Sequence, residues 1–173
     1  MVGMEQRILD FYAGTGTDHA GRRWEEIVGW PDGRLEAVHD FIQWLFPLPE
    51  PSPVNPLAPV LDRETAAAFR ARAELVGNLR ESLGRMLRFY GLVLREGVVE
   101  RAENFAERAE NWLWPDNHNH LRITRILRCC WLLGLEAEAR ASLAALEEIA
   151  RERPRGVTAR SVQFWRGAVP ADT

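Results

Sequence analysis

One segment mixes large apolar and polar residues more densely than an ordinary amphipathic helix does: Asn117-His118-Asn119-His120-Leu121-Arg122-Ile123-Thr124-Arg125-Ile126-Leu127. A second segment has the same character: His39-Asp40-Phe41-Ile42-Gln43-Trp44-Leu45-Phe46-Pro47-Leu48. A core helix normally keeps His, Asn, Gln and Arg off its buried side, because an unpaired buried polar group costs about 1–3 kcal/mol. The two segments therefore either satisfy each other's polar groups inside one domain or form a pocket.

Apolar residues recur at helical spacing along most of the chain. They predict helices over residues 4–11, 22–28, 34–46, 62–94, 99–112, 118–133, 135–152 and 157–165. Asp62 is suited to cap the helix that follows it, and Asp116 or Asn117 can cap the helix that begins near His118. No segment alternates convincingly between apolar and polar residues, so no strand is predicted. The expected fold class is all-α, with the helices around one core in a single compact domain.

Prolines exclude a helix between the two polar-rich segments, in Pro47-Leu48-Pro49-Glu50-Pro51-Ser52-Pro53-Val54-Asn55-Pro56-Leu57-Ala58-Pro59. Apolar residues nevertheless recur through this proline-rich part, at Leu48, Val54, Leu57 and Val60. We expect these side chains to hold an ordered, extended strap against the core. A disordered linker is the alternative.

Composition narrows the class of protein. A chain of 173 residues is typical of one domain, and the net charge of -3 provides no field that favours nucleic acid or anionic lipid. All 22 basic residues are Arg, which excludes Schiff-base and P-loop lysine chemistry and indicates a GC-rich, bacterial coding sequence. Without a leader or an apolar run approaching 18 residues, we expect a cytoplasmic protein with no transmembrane segment.

The two cysteines, Cys129 and Cys130, are adjacent and cannot pair with each other in a helix, so we expect small buried residues in a reducing compartment.

The plausible metal ligands are His118, His120, His39, Asp40, Asp18 and His19. The competing interpretation is that the Asn and His side chains cap a helix and bond to the strap. Acid–base catalysis by the histidines, Asp40 or Glu50 is a further hypothesis, although no hydroxyl lies in a nucleophile elbow.

Arginines suggest a third kind of site. Arg122, Arg125 and Arg128 recur every three residues, so they follow one helix face and could clamp a carboxylate or a phosphate. Pairing with acidic residues of the same chain is the alternative. Aromatic walls for a pocket could come from tryptophans in or beside the polar-rich segments, Trp44, Trp112 and Trp114.

The chain resembles the conserved domain of the opioid growth factor receptor family. The strongest match is 118–127, and the next is His39-Asp40-Phe41-Ile42-Gln43-Trp44-Leu45-Phe46-Pro47-Leu48-Pro49-Glu50. Shorter matches follow the same order: Phe11-Tyr12, Arg85-Met86-Leu87-Arg88-Phe89-Tyr90-Gly91 and Arg101-Ala102-Glu103-Asn104. The resemblance covers residues 5 to 147, nearly the whole domain.

This resemblance implies a receptor-type domain that has no established catalytic residues. Animal members are described as binding the pentapeptide met-enkephalin and as membrane- or nucleus-associated. The chain ends soon after the shared segment, so we expect a bacterial-type member without the C-terminal repeats. We place the conserved domain at 5–150 and a C-terminal helix and tail at 151–173.

We therefore predict a non-enzymatic module that binds a small peptide or another anionic or zwitterionic ligand. The predicted ligand-binding residues are His39, Gln43, Trp44, Glu50, Asn117, His118, His120, Arg122 and Arg125. Their cleft would join the Gln43-Trp44 segment, the strap and the Arg122–Arg125 face. The alternative is an uncharacterised enzyme that uses His39, His118 or His120, with or without a metal. No cofactor, catalytic residue or nucleic-acid partner is predicted.

Overall fold

A computed structural model of the protein describes residues 3–171, with ten helices and one two-stranded sheet in that range. The first six helices are α1 (Met4–Tyr12), α2 (Trp24–Val28), α3 (Asp32–Ala37), α4 (Ile42–Leu45), α5 (Arg63–Arg70) and α6 (Ala73–Phe89). The later elements are β1 (Leu92–Arg95), β2 (Val98–Arg101), α7 (Phe105–Ala109), α8 (His118–Leu132), α9 (Glu136–Glu152) and α10 (Ala159–Ala168). The predicted all-α class is confirmed, because the sheet is only a short hairpin.

The chain divides into two compact units, and the boundary lies between Ser82 and Leu83, inside α6. The first unit has an aromatic core in which the Tyr12 ring packs edge-on against Phe11 and Phe69, with ring centroids 5.7 and 5.1 Å apart. Edge-on aromatic pairs add about 0.5–1.5 kcal/mol each beyond the area that they bury. This core fixes α1 against α5.

The buried hydroxyl of Tyr12 joins three helices of this unit. It bonds to the carbonyl oxygen of Leu45 and lies 3.1 Å from the Ser82 hydroxyl. Ser82 is fully buried and accepts a hydrogen bond from Trp24 Nε1 at 2.9 Å. Asn78 Nδ2 donates to the Tyr12 carbonyl oxygen at 2.8 Å. The polar groups in this part of the core are therefore satisfied.

The predicted helix over 34–46 is wrong in its middle. Val38 has an extended backbone, with φ −95° and ψ 130°, and ends α3, whereas α4 begins only at Ile42. After this break, the Asp40 carboxylate accepts a hydrogen bond from the Arg22 guanidinium at 2.9 Å.

The predicted strap is confirmed, since the chain forms no helix from 47 to 61. Leu48 and Val60 pair in an isolated parallel bridge that closes it. The predicted anchors at its centre are wrong, because Val54 is 82% exposed and Leu57 is 60% exposed. Hydrogen bonds of Asn55 hold the strap in place of these side chains.

The second unit begins with a turn that the sequence analysis missed. Gly91 has φ +79°, and a Cβ at this position would lie 2.8 Å from the Cα of Phe105, so only glycine fits. The long predicted helix therefore stops at Phe89 rather than near Leu94.

An antiparallel hairpin follows, with Leu92 opposite Arg101 and Arg95 opposite Val98. Its two-residue loop, Glu96-Gly97, has φ values of 50° and 80°. Two consecutive residues with positive φ are typical of a type I′ hairpin turn. The expectation of no strand is therefore wrong, and the helix predicted over 99–112 is reduced to α7.

Helices α8, α9 and α10 pack together in the second unit, and β2 packs on α9. A cavity of only about 10 Å³ lies among the side chains of α6, β1, α8 and α9, and it is lined mostly by leucine, isoleucine and methionine. Cys129 and Cys130 are fully buried and unbridged, as predicted for small core residues. Burial raises the pKa of both thiols, so these cysteines are poor nucleophiles.

Candidate functional site

In the first unit, four polar side chains form a network, here named the Asp18–Asp40 network: Asp18, His19, Arg22 and Asp40. Arg22 Nε donates to Asp18 Oδ2 at 2.7 Å, and Arg22 Nη2 donates to Asp40 Oδ1 at 2.9 Å. The other oxygen of Asp18 accepts from the backbone N–H groups of Ala20 and Arg22, each at 2.9 Å. Asp18 is only 3% exposed, so the network pairs a buried charge completely.

The hydrogen bonds of His19 determine its tautomer. Trp44 Nε1 can only donate, and it lies 3.0 Å from His19 Nδ1, so Nδ1 carries a lone pair. His19 Nε2 then carries the hydrogen and donates to Asp40 Oδ2 at 3.1 Å. Both ring nitrogens are occupied, so neither can accept a proton from a substrate or bind a metal while these contacts hold.

Asp40 is the charged end of this network. Burial opposes its ionisation, but the hydrogen bond and the charge of Arg22, followed by the hydrogen bond from His19, outweigh burial and lower the pKa of the carboxyl. Asp40 therefore remains an acceptor at neutral pH. Its role is to hold the break before α4 against the segment that carries Arg22.

Four predicted ligand-binding residues belong to the first unit. His39 and Glu50 are exposed, whereas Gln43 and Trp44 are buried, at 5% and 1% exposure. The indole N–H of Trp44 donates the hydrogen bond to His19 Nδ1. Gln43 Oε1 accepts from Asn55 Nδ2 of the strap at 3.4 Å. The two buried residues thus contact the protein itself through their polar groups.

The second cluster of buried polar groups lies at the start of α8. Asn117 caps this helix, since its Oδ1 accepts from the backbone N–H of Asn119 at 2.8 Å, and its Nδ2 donates to the carbonyl oxygen of Asn111 at 2.9 Å. Asn119 Oδ1 accepts from the Tyr90 hydroxyl at 3.3 Å and lies 3.5 Å from Arg122 Nη1. The capping role that the sequence analysis gave to Asn117 is therefore confirmed.

His120 joins α8 to α10. Its Nε2 donates to the Trp112 carbonyl oxygen at 2.8 Å, and its Nδ1 accepts from the Ser161 hydroxyl at 3.3 Å. Trp165 Nε1 donates to the backbone carbonyl of His120 at 3.0 Å. Burial lowers the pKa of His120, which favours the neutral ring that these bonds require.

The remaining predicted residues differ in exposure. Arg122 is 6% exposed, Arg125 is half-buried, and His118 is exposed. Tyr90 and Ser161 complete the polar cluster, although neither was predicted from the sequence to belong to it. Both lie about 30 to 40 residues away from α8 in the chain, and no local pattern marks them.

A surface depression of the second unit lies between α8 and α10, and we call it the α8–α10 groove. Its volume is about 500 Å³, and it is lined by Thr124, Arg128, Trp131, Leu132, Gln163, Phe164, Gly167, Ala168 and Pro170. This size lies within the range of small-ligand sites. None of the lining residues was predicted as a ligand contact, although Arg128 belongs to the arginine series recognised in the sequence.

Within residues 3–171, no three His, Cys, Asp or Glu side chains are grouped so that they could hold a metal ion. Over the same range, no helix has the length and apolar character needed to cross a membrane.

Comparison with known proteins identifies one family. Residues 6–169 match the family model described as the opioid growth factor receptor (OGFr) conserved region. The human opioid growth factor receptor is 40% identical over 154 residues, covering 84% of this chain and 22% of the human protein. The mouse receptor is 45% identical over 118 residues, covering 65% of this chain and 18% of the mouse protein.

Mouse opioid growth factor receptor-like protein 1 is 39% identical over 106 residues, which is 60% of this chain and 22% of that protein. The chain thus spans about a fifth of the length of these relatives. No solved structure is significantly similar to it.

Proposed function

The chain belongs to the opioid growth factor receptor family, and from this membership we propose that it is a non-enzymatic binding domain for a small peptide or another ligand with a carboxylate. These relatives are named as receptors, which supports a binding role of some kind. The ligand of this chain is our proposal.

The observation that carries the proposal is the chemistry of the α8–α10 groove. Arg128 lines it, and none of its lining residues is acidic. Two further guanidinium groups lie over its aromatic rings, that of Arg140 at 4.7 Å from the Trp131 centroid and that of Arg160 at 5.5 Å from the Phe164 centroid. Arginines beside aromatic walls are suited to a ligand with an apolar body and a carboxylate.

Gly167 provides an opening in this groove. A Cβ built on it meets no atom within 4 Å, so the packing of the protein does not require glycine there. Glycine inside a helix costs about 1 kcal/mol relative to alanine. The absent side chain leaves space in which the backbone of a peptide could approach α10.

The residues predicted from the sequence take two roles in this proposal. Asn117, His120 and Arg122 position α8 from within the polar cluster, and Arg125 and His118 lie nearer the surface. The ligand contacts predicted at His39, Gln43, Trp44 and Glu50 stay predictions, as do the domain boundary at residue 150, the bacterial source and the cytoplasmic location. The enzyme alternative, which uses His39, His118 or His120, is not favoured: both ring nitrogens of His120 are engaged in hydrogen bonds.

The test uses met-enkephalin and its C-terminal amide as probes in isothermal titration calorimetry. We expect the free acid to bind the wild-type protein and the amide to bind about tenfold more weakly, because one carboxylate–arginine contact is lost. The Gly167→Met side chain should fill the groove and weaken binding of the free acid by about tenfold or more. The variant should still fold, because methionine is favourable inside a helix.

Gly77→Met is the matched control, because Gly77 is also a glycine inside a helix with no atom within 4 Å of a Cβ, and it does not line the groove. It should bind the free acid as the wild type does. Equal binding by Gly167→Met, or no binding by the wild type, would contradict the proposal.

A further inference from the structure

The strap contains a short ordered turn that exposes apolar side chains. Residues 52–58 form a compact turn, here named the strap turn, in which Ala58 N–H donates to the Asn55 carbonyl oxygen at 3.0 Å. Asn55 also receives Leu57 N–H on Oδ1 at 3.1 Å, and its own N–H donates to Ser52 Oγ at 3.1 Å. The strap turn is therefore held by a local set of hydrogen bonds.

The strap turn directs a polar side chain toward the protein and apolar side chains toward solvent, which is the opposite of the usual arrangement. The polar Asn55 side chain bonds to the buried Gln43, whereas the apolar Val54 and Leu57 are 82% and 60% exposed. They are among the most exposed large apolar side chains within residues 3–171. A pre-ordered turn loses little conformational entropy on binding, so it is suited to present such a pair to a partner.

Charge indicates which surface could receive the strap turn. The charged residues between α4 and α5 are Glu50 and Asp62, and both are acidic. The α8–α10 groove has Arg128 in its lining and no acidic residue, and its aromatic rings lie under Arg140 and Arg160. Proline-flanked apolar residues commonly dock into aromatic-lined grooves, as in the recognition of polyproline segments.

We propose that the strap turn of one copy of this chain occupies the α8–α10 groove of a second copy. This inference rests on the proposed function, since it assigns an occupant to the same groove. The contact is head-to-tail, because each copy contributes a different surface. Such contacts produce rings when they close and open chains when they do not, so association should increase with concentration.

A ligand with a carboxylate and the strap turn would then compete for one groove. A synthetic peptide of residues 47–61 should bind the groove of a single copy, and met-enkephalin should dissociate the assemblies. The ligand-free protein would in this way be held in its associated form.

The test is analytical ultracentrifugation of the wild type, Gly167→Met and the double variant Val54→Ser, Leu57→Ser over a concentration series. Serine removes the apolar contacts without changing charge, and both positions are exposed, so folding should be retained. We expect the wild type to associate, and each variant alone to associate more weakly by about tenfold or more. The decisive sample is an equimolar mixture of the two variants, which should form one-to-one dimers through the intact groove of one and the intact strap turn of the other.

Val98→Ser and Gly77→Met are the controls, because Val98 is 56% exposed on the hairpin and neither residue belongs to either surface. Both should associate as the wild type does. A monomeric wild type, or a mixture that does not form dimers, overturns the inference. If met-enkephalin binding still depends on Gly167 in that case, the proposed function stands alone; if Gly167→Met changes neither association nor peptide binding, both fail.

Discussion

His120 illustrates how a buried side chain can look like a ligand contact in the sequence and serve the fold in the structure. Its Nε2 hydrogen reaches the Trp112 carbonyl oxygen, and its other ring nitrogen takes the Ser161 hydroxyl. Protonation of Nδ1 would require the Ser161 hydroxyl to turn from donor to acceptor and would put a charge in a buried site. The residue pattern His-x-His reveals neither contact, because Trp112 and Ser161 lie 8 and 41 residues from His120 in the chain.

This arrangement predicts how stability depends on pH. Burial lowers the pKa of His120 in the folded protein below the ordinary value of 6.5, so the unfolded chain takes up the proton first as the pH falls. The free energy of unfolding should therefore be highest above pH 6.5 and should decrease below it, with a slope of up to about 1.4 kcal/mol per pH unit from this group.

Urea unfolding of the wild type and His120→Gln between pH 8 and 5 measures this effect. The difference between the two proteins isolates His120 from the other histidines. We expect the variant to be less stable at pH 8 but to lose less stability on acidification. A wild-type slope that His120→Gln leaves unchanged would show that His120 does not resist protonation.

The hairpin shows where an element could not be predicted. Apolar residues at helical spacing predicted a helix over 99–112, and the strands are only four residues long, which is too short for alternation to outweigh that spacing. The useful signals were the glycines, Gly91 and Gly97, which both have positive φ. By contrast, α8 was predicted at 118–133 and observed at His118–Leu132, because Asn117 provides a strong cap and the apolar period is regular.

In the turn of the hairpin, Glu96 is not a residue type that its backbone conformation favours. Glu96 has φ +50°, a region that side chains other than asparagine and glycine rarely adopt. Glu96→Asn creates the Asn-Gly pair that type I′ turns prefer, and we expect it to raise the free energy of unfolding by about 0.5–1 kcal/mol. Thermal unfolding followed by circular dichroism measures the change.

Glu100→Asn makes the same chemical change on β2, where the backbone is extended, and controls for the lost charge. Asparagine disfavours strands, so this control should be neutral or destabilising. A Glu96→Asn protein that melts no higher than Glu100→Asn would argue against strain at the turn.

At the level of the whole chain, the sequence predicted the family and the fold class but not the groove. The groove combines α8 and α10, and it depends on which side chains remain open after packing. The helix predicted over 157–165 does not reveal which of its aromatic side chains stays open: Phe164 is 46% exposed, whereas Trp165 is fully buried. The division of the chain within α6 was equally hidden, because the periodic pattern continues through Ser82 and Leu83 without interruption.

The histidines allow a prediction about metals for the protein as a whole. His19 uses both ring nitrogens, for Trp44 and Asp40, and His120 uses both for Trp112 and Ser161. A structural transition metal is held by several His, Cys, Asp or Glu side chains together, and no three of these are grouped in that way within residues 3–171. Burial also raises the pKa of the Cys129 and Cys130 thiols, which disfavours the thiolate that a metal needs.

We therefore expect purified protein to carry no stoichiometric transition metal and its melting temperature to be unchanged by EDTA, which elemental analysis and a thermal shift assay measure together. Binding of a structural metal stabilises only the folded state, so removing it would lower the melting temperature. Stoichiometric zinc together with such a decrease would contradict this prediction and would make the histidine-based enzyme the better interpretation. An unchanged melting temperature leaves the buried histidines as structural links, and the search for a ligand then concentrates on the α8–α10 groove.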